Sequence, residues 1–306
     1  MLHVVHHAGY VSPASVPDNR YRFDKYGLVM EALKEGSAAY TIHQPEFMPR
    51  IWIDAVHDPD YVDQVLNCAV PPDKERRIGF AITRRVSDRA QLSPGGTWLA
   101  AKLALVHGHA ANGAGGSHHA LYDTGAGYCV FNDLAITANR MIAEGDVHRV
   151  LIVDLDVHQG DGTAALTAGR PDIFTLSIHA ERNFPVRKAR SSHDIGLPDG
   201  TGDSAYMEVL ERTLPGVIDS FKPGIILYQA GVDVHGDDRL GRLSLTDAGI
   251  EVRDRFVLAQ ARRCGVPLAS TLGGGYGSDR MEVARRHARS MQTLADENMR
   301  WCEAAS

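Results

Sequence analysis

Cysteine is scarce in this chain, and its placement does no chemistry. Cys68, Cys129, Cys264 and Cys302 are the only four in 306 residues, and none forms a CxxC pair. That spacing excludes a disulfide framework and a thiolate metal site, and leaves buried thiols as the expectation. Long apolar runs are missing too: none approaches the roughly 18 residues needed to cross a bilayer. The first residues, Met1 to His7, lack the basic segment, apolar stretch and small-residue cleavage site of a secretory signal, so a cytoplasmic location is expected. Charge of one sign is not in excess, with 32 basic and 38 acidic side chains giving a formal net charge of -6. Basic residues scattered among acids leave no electrostatic footprint for nucleic acid. No low-complexity linker or internal repeat divides the chain, so residues 1–306 read as one domain. What remains is ordinary globular composition, 44% hydrophobic and 23% charged, with 15 histidines as the one unusual number.

Short β-branched runs recur, each followed by a Gly- or Asp-rich turn and then a helical pattern. That alternation predicts βαβ units: an α/β fold with an open, mostly parallel sheet flanked by helices on both faces. Strands are expected at Leu2–Val5, Val150–Asp154, 173–178, Ile225–Gln229 and 268–272, whose continuous apolar character suits burial on both sides. Helical periodicity covers 23–34, 97–107, 134–144, 246–264 and 280–301. Residues 71–89 are charged without clear periodicity and read as a surface excursion. The stretch 180–202 reads as a long irregular loop, of a kind that is commonly functional.

The densest chemistry lies in DLDVHQGDGT (154–163), directly after an expected strand. In parallel sheets the C-terminal strand ends are where ligands bind. Asp154, Asp156 and His158 share parity and project to one side of an extended chain. A second strand ends at QAGVD (229–233), which delivers Asp233 to the same edge. Asp156, His158 and Asp233 make a three-ligand site with positions left for water and substrate. A solvated acidic turn would explain one such aspartate, but crowded carboxylates beside an imidazole repel one another unless a cation compensates. Zinc is the first choice, with iron, cobalt and manganese as alternatives. GGSHHA (115–120) places His118 and His119 behind a glycine turn that lets both aim at one target, as a proton acceptor and a charge stabiliser. Asp154 and Asp161 are the spare carboxylates able to orient them. The glycine turn at 273–275 lacks the lysine of a P-loop and the spacing of a dinucleotide fold, and can bring Tyr276 over the sheet edge to donate to a developing oxyanion.

GGSHHA, GYCVFND (127–133), DLDVHQGDGT and QAGVD with GGGY (273–276), in this order, resemble the histone deacetylase family of zinc amidohydrolases, whose fold is shared with arginase. The match runs from about Arg22 to Tyr276. The resemblance implies that Asp156, His158 and Asp233 hold zinc, that His119 is the general base with His118 as its partner, and that Asp161 and Asp154 orient them. It implies that Tyr276 polarises the carbonyl and that Tyr128 and Phe184 wall an acyl-lysine tunnel, with Gly127 and Gly274 also contacting substrate. It further implies a potassium ion on Asp154, Ser177 and His179, and an arginine, Arg22, beside an internal acetate channel. The expected partner is an acylated lysine peptide or protein, or a small acylated amine.

Two departures point toward the class IV branch and its bacterial relatives. Gln159 stands where a second histidine often follows the metal-binding one, and 180–202 lacks the PGTG pattern of the common class. Acyl chains longer than acetyl are consistent with that branch. Tyr128 stands where many relatives have phenylalanine. Alternatives are an acetylpolyamine amidohydrolase, an arginase-like ureohydrolase with two manganese ions, and a silent module that binds acyl-lysine.

Overall fold

The computed structural model describes residues 1–11, 23–36 and 39–304, so the Arg22 expectation lies outside the described residues. The first half holds β1 (Leu2–Val5), α1 (Lys25–Glu35), β2 (Tyr40–His43) and a run of helices, α2 (Arg50–Asp54), α3 (Pro59–Leu66), α4 (Pro72–Ile78) and α5 (Arg84–His107). Next come β3 (His109–Asn112), α6 (Asp133–Ala143), β4 (Val150–Asp154), α7 (Asp161–Leu166), β5 (Ile173–Ala180) and β6 (His193–Leu197). The last elements are α8 (Asp203–Phe221), β7 (Ile225–Gln229), α9 (Asp247–Arg263), β8 (Leu268–Thr271) and α10 (Arg280–Ala304).

The strands form one eight-stranded sheet in the order β2-β1-β3-β8-β7-β4-β5-β6, and every pairing is parallel. Alternation of side chains across each strand divides the core in two. Leu151, Val153, Ile226 and Tyr228 point to one face and pack with residues of α8 and α9, such as Leu210, Leu214, Val257 and Leu258. Val150, Ile152, Ile225 and Leu227 point to the other and pack with Ala100 and Ala104 of α5 and Leu134 and Met141 of α6. Both faces are therefore covered, which is why these strands carry unbroken apolar sequence. A satellite cluster built on Ile53, Tyr61, Val65, Ile78 and Phe131 holds α2 to α4 against the start of α6. No helix of the described residues is long and apolar enough to cross a membrane.

Several expectations need correction. The stretch 71–89 is helical: Pro72 opens α4, Asp73 and Glu75 sit in its first turn, and Gly79 ends it at a φ of 104°. Thr83 then caps α5, which begins well before residue 97 and continues through Pro94. Periodicity is weak there because α4 is short and its outward side chains are charged. The irregular loop at 180–202 contains the edge strand β6. Of the four cysteines only Cys129 is buried; Cys68, Cys264 and Cys302 are exposed, each near the C-terminal end of a helix.

Candidate active site

Because every strand runs the same way, the segments leaving β3, β4, β7 and β8 all emerge at one edge. There they bring together the residues singled out from sequence. Ligand atoms of Asp156, His158 and Asp233 all lie within 4.8 Å of one another, and all three residues are buried. His158 Nδ1 is 2.9 Å from Asp156 Oδ1 and 3.2 Å from Asp233 Oδ2. Asp156 Oδ2 accepts from Gln229 Nε2 at 2.7 Å and from the Gly274 N–H at 2.8 Å. Asp233 Oδ1 accepts from the Val157 N–H at 3.0 Å, while its fully buried Oδ2 has the His158 Nδ1 at 3.2 Å but no partner of hydrogen-bond geometry. Burial and the neighbouring Asp156 charge push Asp233 up to about 7. For His158 burial opposes charge, but Asp156 and Asp233 overcome it and lift the imidazole to about 10. A site that raises one carboxylate and demands positive charge on its imidazole is short of a cation. The donor set of two carboxylates and one imidazole fits a divalent ion.

Gly115 and Gly116 both adopt left-handed φ, 80° and 81°, and turn the chain after β3 so that adjacent histidines face the site. His118 Nδ1 donates to Asp154 Oδ2 at 2.7 Å, and His119 Nδ1 to Asp161 Oδ1 at 2.7 Å. Each ring thus keeps Nε2 for the site. Burial works against charge on both. Asp154 and Asp156 reverse it for His118, raised to about 9. His119 feels burial and the His118 charge, and is lowered to about 4. Two rings 4.1 Å apart are therefore driven to opposite protonation states, the pattern that separates an acid from a base.

A cavity of about 750 Å³ lies over these groups. The Phe184 ring meets His119 edge-on at 4.8 Å, and Tyr128 and Tyr276 sit 5.8 Å apart. Tyr276 is held by its N–H, which donates to Asp238 Oδ2 at 2.6 Å. Gly127 and Gly274 line the cavity as well. A Cβ on Gly274 would fall 1.9 Å from Asp233 Oδ2, so only glycine lets this turn close on the metal-type cluster. Asp154 and Ser177 are cross-strand partners, and Ser177 Oγ lies 2.9 Å from His179 Nδ1. These three adjoin, although the His179 ring is taken by Ser177 and only Asp154 and Ser177 present side-chain oxygens.

Four contributors were missed in the sequence. Gln229 fixes the Asp156 carboxylate; it stands in the QAGVD motif at a strand end, but the motif gave it no role. Asp133 accepts from the Ser117 and Gly116 N–H groups at 2.7 and 3.1 Å, holding the glycine turn. Asp238 anchors Tyr276. Arg253 on α9 reaches the strand ends from behind, donating to Leu155 O at 3.2 Å and Gly231 O at 2.8 Å.

An all-parallel α/β sheet carrying this edge is the arginase and deacetylase fold. The histone deacetylase domain matches residues 17–292, and the chain belongs to that family. It is 42% identical to an uncharacterized protein of Picosynechococcus sp. over 288 residues, covering 93% of this chain and 95% of that one. It is 32% identical to histone deacetylase 2 of Arabidopsis thaliana over 200 residues, covering 64% of this chain and 52% of that one, about half of the plant protein. The crystal structure of the HDA15 HD domain superposes with a TM-score of 0.80 at 19% identity, covering 97% of this chain and 90% of the other. At that identity the likeness speaks for the fold.

Proposed function

We propose that residues 1–306 form one zinc-dependent deacylase domain that hydrolyses the amide joining an acetyl or longer acyl group to an amine such as the lysine side chain. The observation that carries this reading is the convergence, in one cavity, of the Asp156, His158 and Asp233 cluster with two imidazoles each tied to its own carboxylate. When bound by Asp156, His158 and Asp233, a zinc ion supplies Lewis-acid polarisation of the carbonyl and makes water more acidic. His119, neutral and oriented by Asp161, takes the proton from attacking water through Nε2. His118, charged and oriented by Asp154, stabilises the negative charge that develops and gives a proton to the leaving amine. The Tyr276 hydroxyl donates to the oxyanion. Phe184 and Tyr128 flank the acyl-amine stem and exclude water from the carbonyl. A potassium ion beside Asp154, Ser177 and His179 belongs to the same reading.

The test is a metal-replete assay against lysine peptides bearing acyl chains of graded length, with metal counted per chain. Turnover with about one zinc per chain, lost in His119→Ala, is the expected result. Two manganese ions per chain, with release of urea from arginine, would replace this reading with the ureohydrolase one.

A further inference from the structure

The mouth of the cavity is lined by cations. Arg76 and Arg77 come from α4, Arg182 and Arg187 from the segment after β5, and Arg242 from the segment after β7. All five are exposed. Arg242 pairs with Asp199 at 3.0 Å. Among the described residues, the guanidinium groups of Arg76, Arg77, Arg182 and Arg187 form no ion pair or hydrogen bond. The carboxylates lining the same cavity, Asp156 and Asp161, are each within 2.9 Å of an imidazole deep in the site. The chain as a whole carries a formal net charge of -6, so this mouth is a segregation of charge against the overall sign.

Clustered arginines cost little while solvated, and they set up a local positive potential that steers anions. A guanidinium fork also matches carboxylate geometry with two parallel hydrogen bonds. A substrate whose acylated amine is flanked by lysines would meet like charge at each of these positions. We propose that the physiological substrate of this site presents its acylated amine on an anionic carrier, with carboxylates beside the scissile amide engaging Arg76, Arg77, Arg182 and Arg187. The proposal rests on the deacylase reading and names the substrate class for it. The carboxylates have two sources of the same chemistry: acidic neighbours in a peptide, or the α-carboxylate of a free acylated amino acid.

The experiment uses acetyl-lysine peptides matched in length with Glu, Gln or Lys flanks. Both kcat/KM on the wild-type protein and fluorescence-anisotropy binding to the Tyr276→Phe variant are measured. The expected order is Glu over Gln over Lys, with the ends at least about tenfold apart at low salt and the difference carried by KM. The gap should close as added salt shortens the Debye length from about 30 Å at 0.01 M to about 3 Å at 1 M. Combining R76Q, R77Q, R182Q and R187Q should bring the Glu-to-Gln ratio toward one. Free Nε-acetyl-lysine preferred over its α-carboxamide would assign the carboxylate to a small molecule, and a preference confined to peptides would assign it to the flanks. Charge-blind binding, or a Glu preference that survives the fourfold variant, overturns the proposal. Charge-ranked binding without turnover of any peptide would sink the deacylase reading and leave the anionic preference standing.

Discussion

At the scale of single residues, the two histidines are separated by their partners more than by their positions. Burial and the adjacent His118 charge hold His119 toward its neutral form, and its ring is fixed by a 2.7 Å bond to Asp161. On the proposed roles of His119 as base and Asp161 as its orienting group, the two should lose unequal amounts of rate on removal. His119→Ala is expected to lower kcat by about 10²- to 10⁴-fold, and Asp161→Asn by about 10- to 100-fold. Steady-state kinetics at saturating metal checks this, and equal losses would mean that Asp161 acts on substrate directly. Gly274→Ala belongs to the same scale. Its Cβ would fall 1.9 Å from one Asp233 oxygen and 2.8 Å from Asp156 Oδ2, so the backbone of the turn must retreat and the Gly274 N–H must leave Asp156. The expected outcome is zinc affinity reduced by at least about tenfold, read by competition with a chromophoric chelator; unchanged affinity would show that the turn yields at no cost to the ligands.

At the scale of elements, the site depends on strand ends that a helix behind them keeps in register. Arg253 is fully buried on α9. Its guanidinium bridges Leu155 O, one residue before Asp156, and Gly231 O, two residues before Asp233. Asp254 balances the charge at 2.9 Å and accepts from the Tyr228 hydroxyl at 2.5 Å. Arg253→Met strands a buried carboxylate and frees two carbonyls, a loss of about 3 to 5 kcal/mol. Arg253→Lys keeps the charge, but one ammonium cannot reach both carbonyls, which accept from Nη1, and also replace the Nε–H that donates to Asp254 at 2.9 Å. Expected for the lysine variant is a smaller drop in Tm together with zinc affinity about 10-fold weaker; full affinity in a stable lysine variant would reduce Arg253 to a packing role. None of this was legible in the sequence, because a mid-helix arginine reads as surface. The strands that were legible, such as Val150–Asp154 and Ile225–Gln229, are apolar and β-branched. Strand β3, His-Ala-Ala-Asn, is equally buried, yet its alanines and asparagine carry no β signal, and only its neighbours in the sheet specify it. Helix α8 was missed as well: its outward positions are charged and Pro215 lies inside it. The site itself was more legible than the fold around it, since Asp154, Asp156, His158 and Asp161 lie within one short run. The hydrogen bonds that orient these groups arise only when distant segments meet.

At the scale of the whole molecule, buried imidazoles make stability depend on pH. His57 is wholly buried between two backbone groups: Nδ1–H donates to Leu121 O at 2.8 Å, and Nε2 accepts from the Asn132 N–H at 2.9 Å. Asn132 in turn caps α6. Burial lowers His57 from 6.5 to about 4, and lowers His109, beside Ser270 in the sheet, from 6.5 to about 3. Between 6.5 and these values the unfolded chain takes up protons that the folded chain refuses. Unfolded protons then exceed folded ones, and stability falls as pH falls. At about 1.4 kcal/mol per pH unit for each group, the two together cost about 4 kcal/mol by roughly pH 5. That is a large share of a typical 5 to 15 kcal/mol. Urea denaturation across this window should show ΔG falling with a slope of about two protons from these groups. His57→Gln, whose amide can donate to Leu121 O and accept from Asn132, removes one of them: the variant should be less stable near pH 7 by about 1 kcal/mol, with a slope shallower by about one proton. A slope unchanged in His57→Gln would mean that this imidazole is already protonated in the fold, and the neutral bridge between Leu121 and Asn132 would have to be abandoned.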